Sequence, residues 1–141
     1  MQRAMQISPL KNKSEMLVEA ANLLHDKCLY PAVAHAAYYS CYQMLRFIWL
    51  YSMKKSQEEL DSNTSQARIG SHEVLLNEVV NFINAKQCKT SREDARCLRN
   101  EIPQIKRLRT DADYSDATFD IEKSRNSLDL SNKLMPILKK Y

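Results

Sequence analysis

Glycine is almost missing: Gly70 is the single one in 141 residues. Phosphate loops of the Walker or dinucleotide-binding type need several glycines for close backbone approach, so neither is expected. A many-stranded sandwich or barrel is equally disfavoured, because its tight turns draw on glycine. The four cysteines, Cys28, Cys41, Cys88 and Cys97, include no Cys-x-x-Cys pair. They read as free thiols of a reducing, cytoplasmic setting rather than as a disulfide or zinc framework. Residues 1–10 hold no apolar core of signal-peptide length. The longest apolar stretch, residues 32–51, carries His35, Ser40, Gln43 and Arg46. An arginine there is costly in lipid, so the stretch reads as a buried helix and no membrane contact is expected.

What is present is helix-forming. Ala, Leu, Lys, Glu and Gln are frequent, and the 44% hydrophobic content is enough for one ordinary core. The length fits one domain over residues 1–141. The fold class is therefore all-α, a bundle of about five helices. Ser8 and Pro9 open the first, with Leu10, Leu17, Ala21, Leu24 and Cys28 at helical spacing up to about Leu29. Pro31 opens the second, which runs to about Lys55 and is apolar nearly all round, as a central element would be. Residues 56–70 are polar with scattered apolar positions and read as a mobile loop. Ser71 is expected to cap the third helix, with Leu75, Leu76, Val79, Phe82 and Ile83 on its buried face. Thr90 and Glu93 have the spacing of a capping box for the fourth. That helix puts Ala95, Leu98, Ile102, Ile105 and Leu108 on one face and is expected to kink at Pro103. Residues 110–118 are acidic and non-periodic. The fifth helix starts near Asp120.

The net charge of +4 permits contact with nucleic acid without demanding it. Arg92, Arg96 and Arg99 share one face of the fourth helix, and Lys106 extends the row, so these four are candidate phosphate contacts. The segment 91–118 holds six basic and six acidic residues. The favoured reading of the row is therefore a solvated face paired with Glu93, Asp94 and Glu101. Tyr38, Tyr39 and Tyr42 lie within one turn of the second helix. They could stack on bases, though core packing is the preferred reading on so apolar a helix. His35 reads as a satisfied core histidine. His25 and Cys28 make an isolated i, i+3 pair, too little for a metal site, and no metal or cofactor is assigned. His72, at the start of a helix, is biased toward its neutral form by the helix dipole.

Three segments together resemble the HEPN domain family: the stretch from Ala34 to Arg46 with its Ala37-Tyr38-Tyr39 run, the Gly70-Ser71-His72 start of the third helix, and Arg109-x-x-Ala112-Asp113-Tyr114 closing the fourth. The resemblance covers about residues 14–140. It implies an up-and-down helical bundle that pairs as a homodimer. It also implies a minimal nucleotidyltransferase as partner, in a toxin–antitoxin-like pair. Many members are metal-independent ribonucleases with an Arg followed by four to six residues and a His. Here the positions after Arg109 are Tyr114, Ser115 and Asp116, and no histidine follows an Arg at that spacing. The chain looks like the branch with Arg-x-x-Ala-Asp-Tyr in place of the nuclease motif. RNA cleavage needs a proton acceptor, a proton donor and a cation for the phosphorane. Arg109 could supply the cation, but a phenol, with an ordinary pKa of about 10, is a poor base at neutral pH.

The expected function is thus a binding module acting with a nucleotidyltransferase and touching RNA or nucleotide. Two alternatives stand beside it: a metal-independent ribonuclease using Arg109, and a purely structural helical adaptor. Motif or binding residues are Arg109, Asp113, Tyr114, Tyr38 and Tyr39. Catalytic candidates are Arg109, Tyr114 and His72, the last a base if its helix begins near Arg109. The structural alternative pairs Arg109 with Asp111 and Asp113, tying the fourth helix to a neighbour.

Overall fold

Helix α1 spans Pro9–Asp26 and α2 spans Tyr30–Phe47, continued by a π-helical turn over Ile48–Ser52. Then follow α3 (Gln57–Ala67), α4 (Ser71–Ala85), α5 (Ser91–Tyr114) and α6 (Ile121–Leu138). The computed structural model describes residues 8–141. The stretch read above for a leader segment lies outside them up to residue 7. No strand occurs among the described residues, and none of their helices is long and apolar enough to cross a membrane.

The helix starts at Ser8 and Asp120 follow from their side chains. Ser8 Oγ accepts from the Leu10 amide at 3.2 Å, and Asp120 Oδ1 accepts from the Lys123 amide at 3.0 Å. α1 ends at Asp26, earlier than expected, and Cys28 turns the chain in the left-handed region (φ 62°). Pro31 sits in the first turn of α2, where its missing N–H costs nothing.

α2 is the central element, packed against α1, α4, α5 and α6. Val33, Ala34, Ala37, Tyr38, Cys41, Met44, Leu45, Ile48 and Trp49 are all essentially without solvent contact. Small residues let the neighbours come close. The Ser14 hydroxyl of α1 donates to the Ser40 carbonyl at 2.7 Å, and Ser131 of α6 lies 3.2 Å from Ser40 Oγ. The hydroxyls bury without loss because each finds a partner.

Three expectations need correction. Residues 56–70 are not a loop but mainly α3. Ser56 Oγ accepts from the Glu59 amide while Glu59 Oε1 accepts from the Ser56 amide, a full capping box. Leu60, 3% exposed, is the one buried anchor of that helix, and the helix stops where Arg68 enters the left-handed region at φ 60°. The α-form of the central helix stops at Phe47. Beyond it the Met53 amide reaches the Ile48 carbonyl at 2.8 Å, an i→i+5 bond. Ser71 and Thr90 do not cap. α4 has Gly70 at its N-cap position with no side-chain bond. The Thr90 hydroxyl donates to Asp94 instead, and Ser91 Oγ accepts from the Cys88 amide. Of the non-periodic residues 110–118, those up to Tyr114 continue α5, in keeping with a motif that closes the fourth helix. The helix passes through Pro103 on the way. The whole Arg109–Tyr114 motif is therefore helical, with Arg109 and Asp113 one turn apart.

Candidate functional site

α2, α4 and α5 meet along a cluster of rings and cations. Tyr38 is at its centre, 1% exposed. Its hydroxyl lies 2.6 Å from His72 Nδ1 at the start of α4. The Arg109 guanidinium of α5 sits 5.5 Å from the ring centroids of both Tyr38 and Tyr39. Arg109 Nη1 donates to the Tyr39 hydroxyl at 3.4 Å and lies 3.5 Å from Asp113 Oδ2. The Arg109 side chain is 14% exposed, and its Nε is buried without a hydrogen-bond partner. Tyr42 stacks near His72, with ring centroids 4.2 Å apart.

The protonation of this cluster follows from burial. Burial pushes the Tyr38 phenol far above its ordinary value, with Tyr39 adding to the rise and Arg109 opposing it. Tyr38 therefore keeps its proton, and its hydroxyl holds His72 Nδ1 in a hydrogen bond whose direction is set by the ring tautomer. Burial of the His72 ring, helped by the charges of Lys106 and Arg109, lowers its pKa from 6.5 to about 4. The ring is neutral at physiological pH, as expected, but burial and neighbouring cations lead rather than the helix dipole.

This pKa has a measurable consequence for stability. Between pH 6.5 and 4 the unfolded chain binds a proton that native His72 refuses, so stability falls as pH drops through that window. The contribution is complete above pH 6.5. His72→Asn keeps an acceptor for Tyr38 and removes the titration. Between pH 7.5 and 5 the wild type is expected to lose about 1–2 kcal/mol more than the variant, solvent screening of the half-exposed ring included. Urea midpoints at the two pH values check this, and parallel losses would contradict it.

Beside the cluster, α4 and α5 enclose a cleft of about 280 Å³ lined by Tyr38, His72, Glu73, Leu76, Asn77, Arg99, Ile102, Pro103 and Lys106. Two of the three carboxylates expected to neutralise the basic row, Asp94 and Glu101, are engaged elsewhere. Asp94 Oδ2 is 3.2 Å from Lys140 Nζ and accepts from Tyr141 at 2.6 Å, and Glu101 pairs with Lys133 at 2.9 Å. Among the described residues Arg92, Arg96, Arg99 and Lys106 make no ion pair, which corrects the solvated-pair reading.

The four cations are not one stripe. Arg99 and Lys106 line the cleft, whereas Arg92 and Arg96 line a separate hollow with Lys89 and Glu93. Tyr114 stands apart, 75% exposed. It is five residues past Arg109 and so points to another side of α5. Arg109 does tie α5 to α2 through Tyr39 and pairs with Asp113, but Asp111 belongs to a different surface. His35 is no core histidine: its side chain is 55% exposed, 3.7 Å from Asp113. His25 bonds with Ser124 of α6 at 2.7 Å. Tyr39 and Tyr42 are only partly buried and border the site instead of filling the core.

A wider groove of about 700 Å³ lies between α5 and α6, with Arg107, Lys133, Asp111 and Asp129 among its lining. Its two cations are matched by two carboxylates, so it offers little net attraction to an anion. Glu73 and Asn77 are the site residues that sequence reasoning passed over. Their i, i+4 spacing just after His72 was the available signal.

No family model matches the chain, and neither a curated protein nor a solved structure matches it.

Proposed function

We propose that the protein is an HEPN-type binding module that holds RNA or a nucleotide by its phosphate at the α4–α5 cleft, without cleaving it. The observation that supports this reading is the pair of cations without ion-pair partners, Arg99 and Lys106, on one wall of a cleft that Tyr38 and neutral His72 also line. Cations that face a cleft rather than a carboxylate attract phosphate, and ring faces beside them take a base. In this reading the module works in the cytoplasm, as a homodimer and together with a minimal nucleotidyltransferase, which the motif resemblance implies.

The test is binding of a labelled single-stranded RNA followed by fluorescence anisotropy at two salt concentrations. Arg99→Ala with Lys106→Ala is expected to weaken binding about tenfold or more. It should also reduce the salt slope by about 1.4, since each phosphate contact on a single strand contributes about 0.7. Arg92→Ala with Arg96→Ala removes the same charge outside the cleft and should do much less. Equal losses from both pairs would reduce the cleft to a generally basic surface and overturn the reading.

A further inference from the structure

The two walls of the α4–α5 cleft differ in chemistry. The α5 wall carries Arg99 and Lys106 on either side of Ile102 and Pro103. The α4 wall carries Glu73 and Asn77, one turn apart. Leu76 and Ile102, both buried, and Tyr38 form an apolar floor. His72, its Nδ1 held by the Tyr38 hydroxyl, also lines the cleft. A volume of about 280 Å³ is at the small end of the range of about 300–1,000 Å³ for ligand pockets. It suits one base with its sugar, not a dinucleotide.

Glu73 has no hydrogen-bond or ion-pair partner for its carboxylate among the described residues, although Arg99 and Lys106 line the same cleft. An ionised carboxylate only accepts hydrogen bonds. It pairs in bidentate fashion with an edge that offers two adjacent donors. Guanine has such an edge, N1–H beside the N2 amino group. Adenine and cytosine set a donor beside an acceptor, and uracil sets its one donor between two acceptors. Asn77, next along the same wall, can donate to guanine O6.

We infer that the cleft selects guanine: Glu73 and Asn77 read the base edge, and Arg99 and Lys106 take the 5′-phosphate. This rests on the nucleotide-binding reading above and names the base for it. The same chemistry is offered by free guanosine monophosphate and by a guanosine within RNA.

Isothermal titration of the full chain with guanosine, inosine and adenosine monophosphates and with inorganic phosphate tests it. The guanosine nucleotide is expected to bind about tenfold or more tightly than the adenosine one, the scale of one good bidentate pair. The inosine nucleotide, lacking the N2 amino group, should fall between them. Glu73→Gln is expected to abolish the guanine preference, because a carboxamide sets a donor beside an acceptor and matches the adenine edge at least as well. Glu73 is exposed, so the fold survives the change, and circular dichroism verifies that. Single-stranded RNAs differing by one guanosine for adenosine separate the two sources: a preference among RNAs but not among free nucleotides assigns the cleft to RNA. Equal affinity for guanine and adenine in both formats overturns the guanine inference alone. Absence of binding to every nucleotide and RNA overturns it together with the reading it rests on.

Discussion

Trp49→Ala is expected to destabilise the protein by about 4 kcal/mol, close to the whole stability of a marginal domain. Trp49 is 1% exposed in the π-helical turn that ends the central helix. Truncation leaves a cavity among Met44, Leu45, Ile48 and their neighbours that the packed helices cannot close. It also removes the indole N–H that donates to the Ser56 carbonyl at 2.8 Å. Ser56 is the N-cap of α3, so this bond ties the start of α3 to the end of the central helix. Trp49→Phe retains most of the packing and loses only the hydrogen bond. It should cost about 1–2 kcal/mol, with its effect concentrated in faster amide exchange across α3. Urea denaturation of the three proteins reads the totals. A loss below about 2 kcal/mol for Trp49→Ala would show that the π turn is not an anchor of the core.

That tryptophan also marks the border of what the sequence discloses. α1, α2, α4, α5 and α6 could be placed because their apolar residues recur at helical spacing and because Ser8, Pro9, Pro31 and Asp120 act locally. α3 could not. Its only buried residue is Leu60, and a helix held by one side chain, a capping box and a distant indole leaves no periodic trace. The caps at Ser71 and Thr90 misled for a related reason. Thr90 has the right spacing to Glu93, but tertiary structure brings Lys140 and Tyr141 onto Asp94, and Thr90 joins that cluster instead.

The candidate site divides in the same way. Arg109, Tyr38, Tyr39 and His72 were legible as chemistry-bearing residues in motifs. Their convergence depends on α4 starting beside α5, which no local pattern states. Whether the basic row was neutralised was not legible at all. Glu101 and Asp94 are near Arg99 and Arg96 in sequence, yet α6 and the chain end claim both through Lys133 and Lys140. The cleft is charged because of partners far along the chain.

On the binding-module reading, purified protein in excess chelator is expected to leave labelled RNA intact. Three groups would be needed for metal-independent cleavage, and the site supplies one. Arg109 can neutralise phosphate, but its guanidinium is held between Tyr38, Tyr39 and Asp113. His72 lies close, but its Nδ1 is tied to the Tyr38 hydroxyl at 2.6 Å, and a pKa of about 4 makes the ring a weak base at pH 7. With a pKa of about 4, the ring is scarcely protonated at pH 7 and makes a poor general acid as well. A positioned general acid or base contributes about 10²–10⁴ in rate, so its absence alone takes turnover toward background. Tyr114→His restores the spacing of the nuclease motif but is not expected to restore cleavage. Position 114 faces solvent and Arg109 faces α2, so the two groups do not meet within one chain. Arg109→Ala should destabilise the packing of α5 on α2, because it empties the place between Tyr38, Tyr39 and Asp113, and leave the background cleavage rate unchanged. Arg109→Lys keeps the charge but not the fork over the two tyrosines, and should recover that stability only in part. Robust cleavage by the wild type that vanishes in Arg109→Ala or His72→Ala would reverse the assignment and make the protein a ribonuclease with an unusual base.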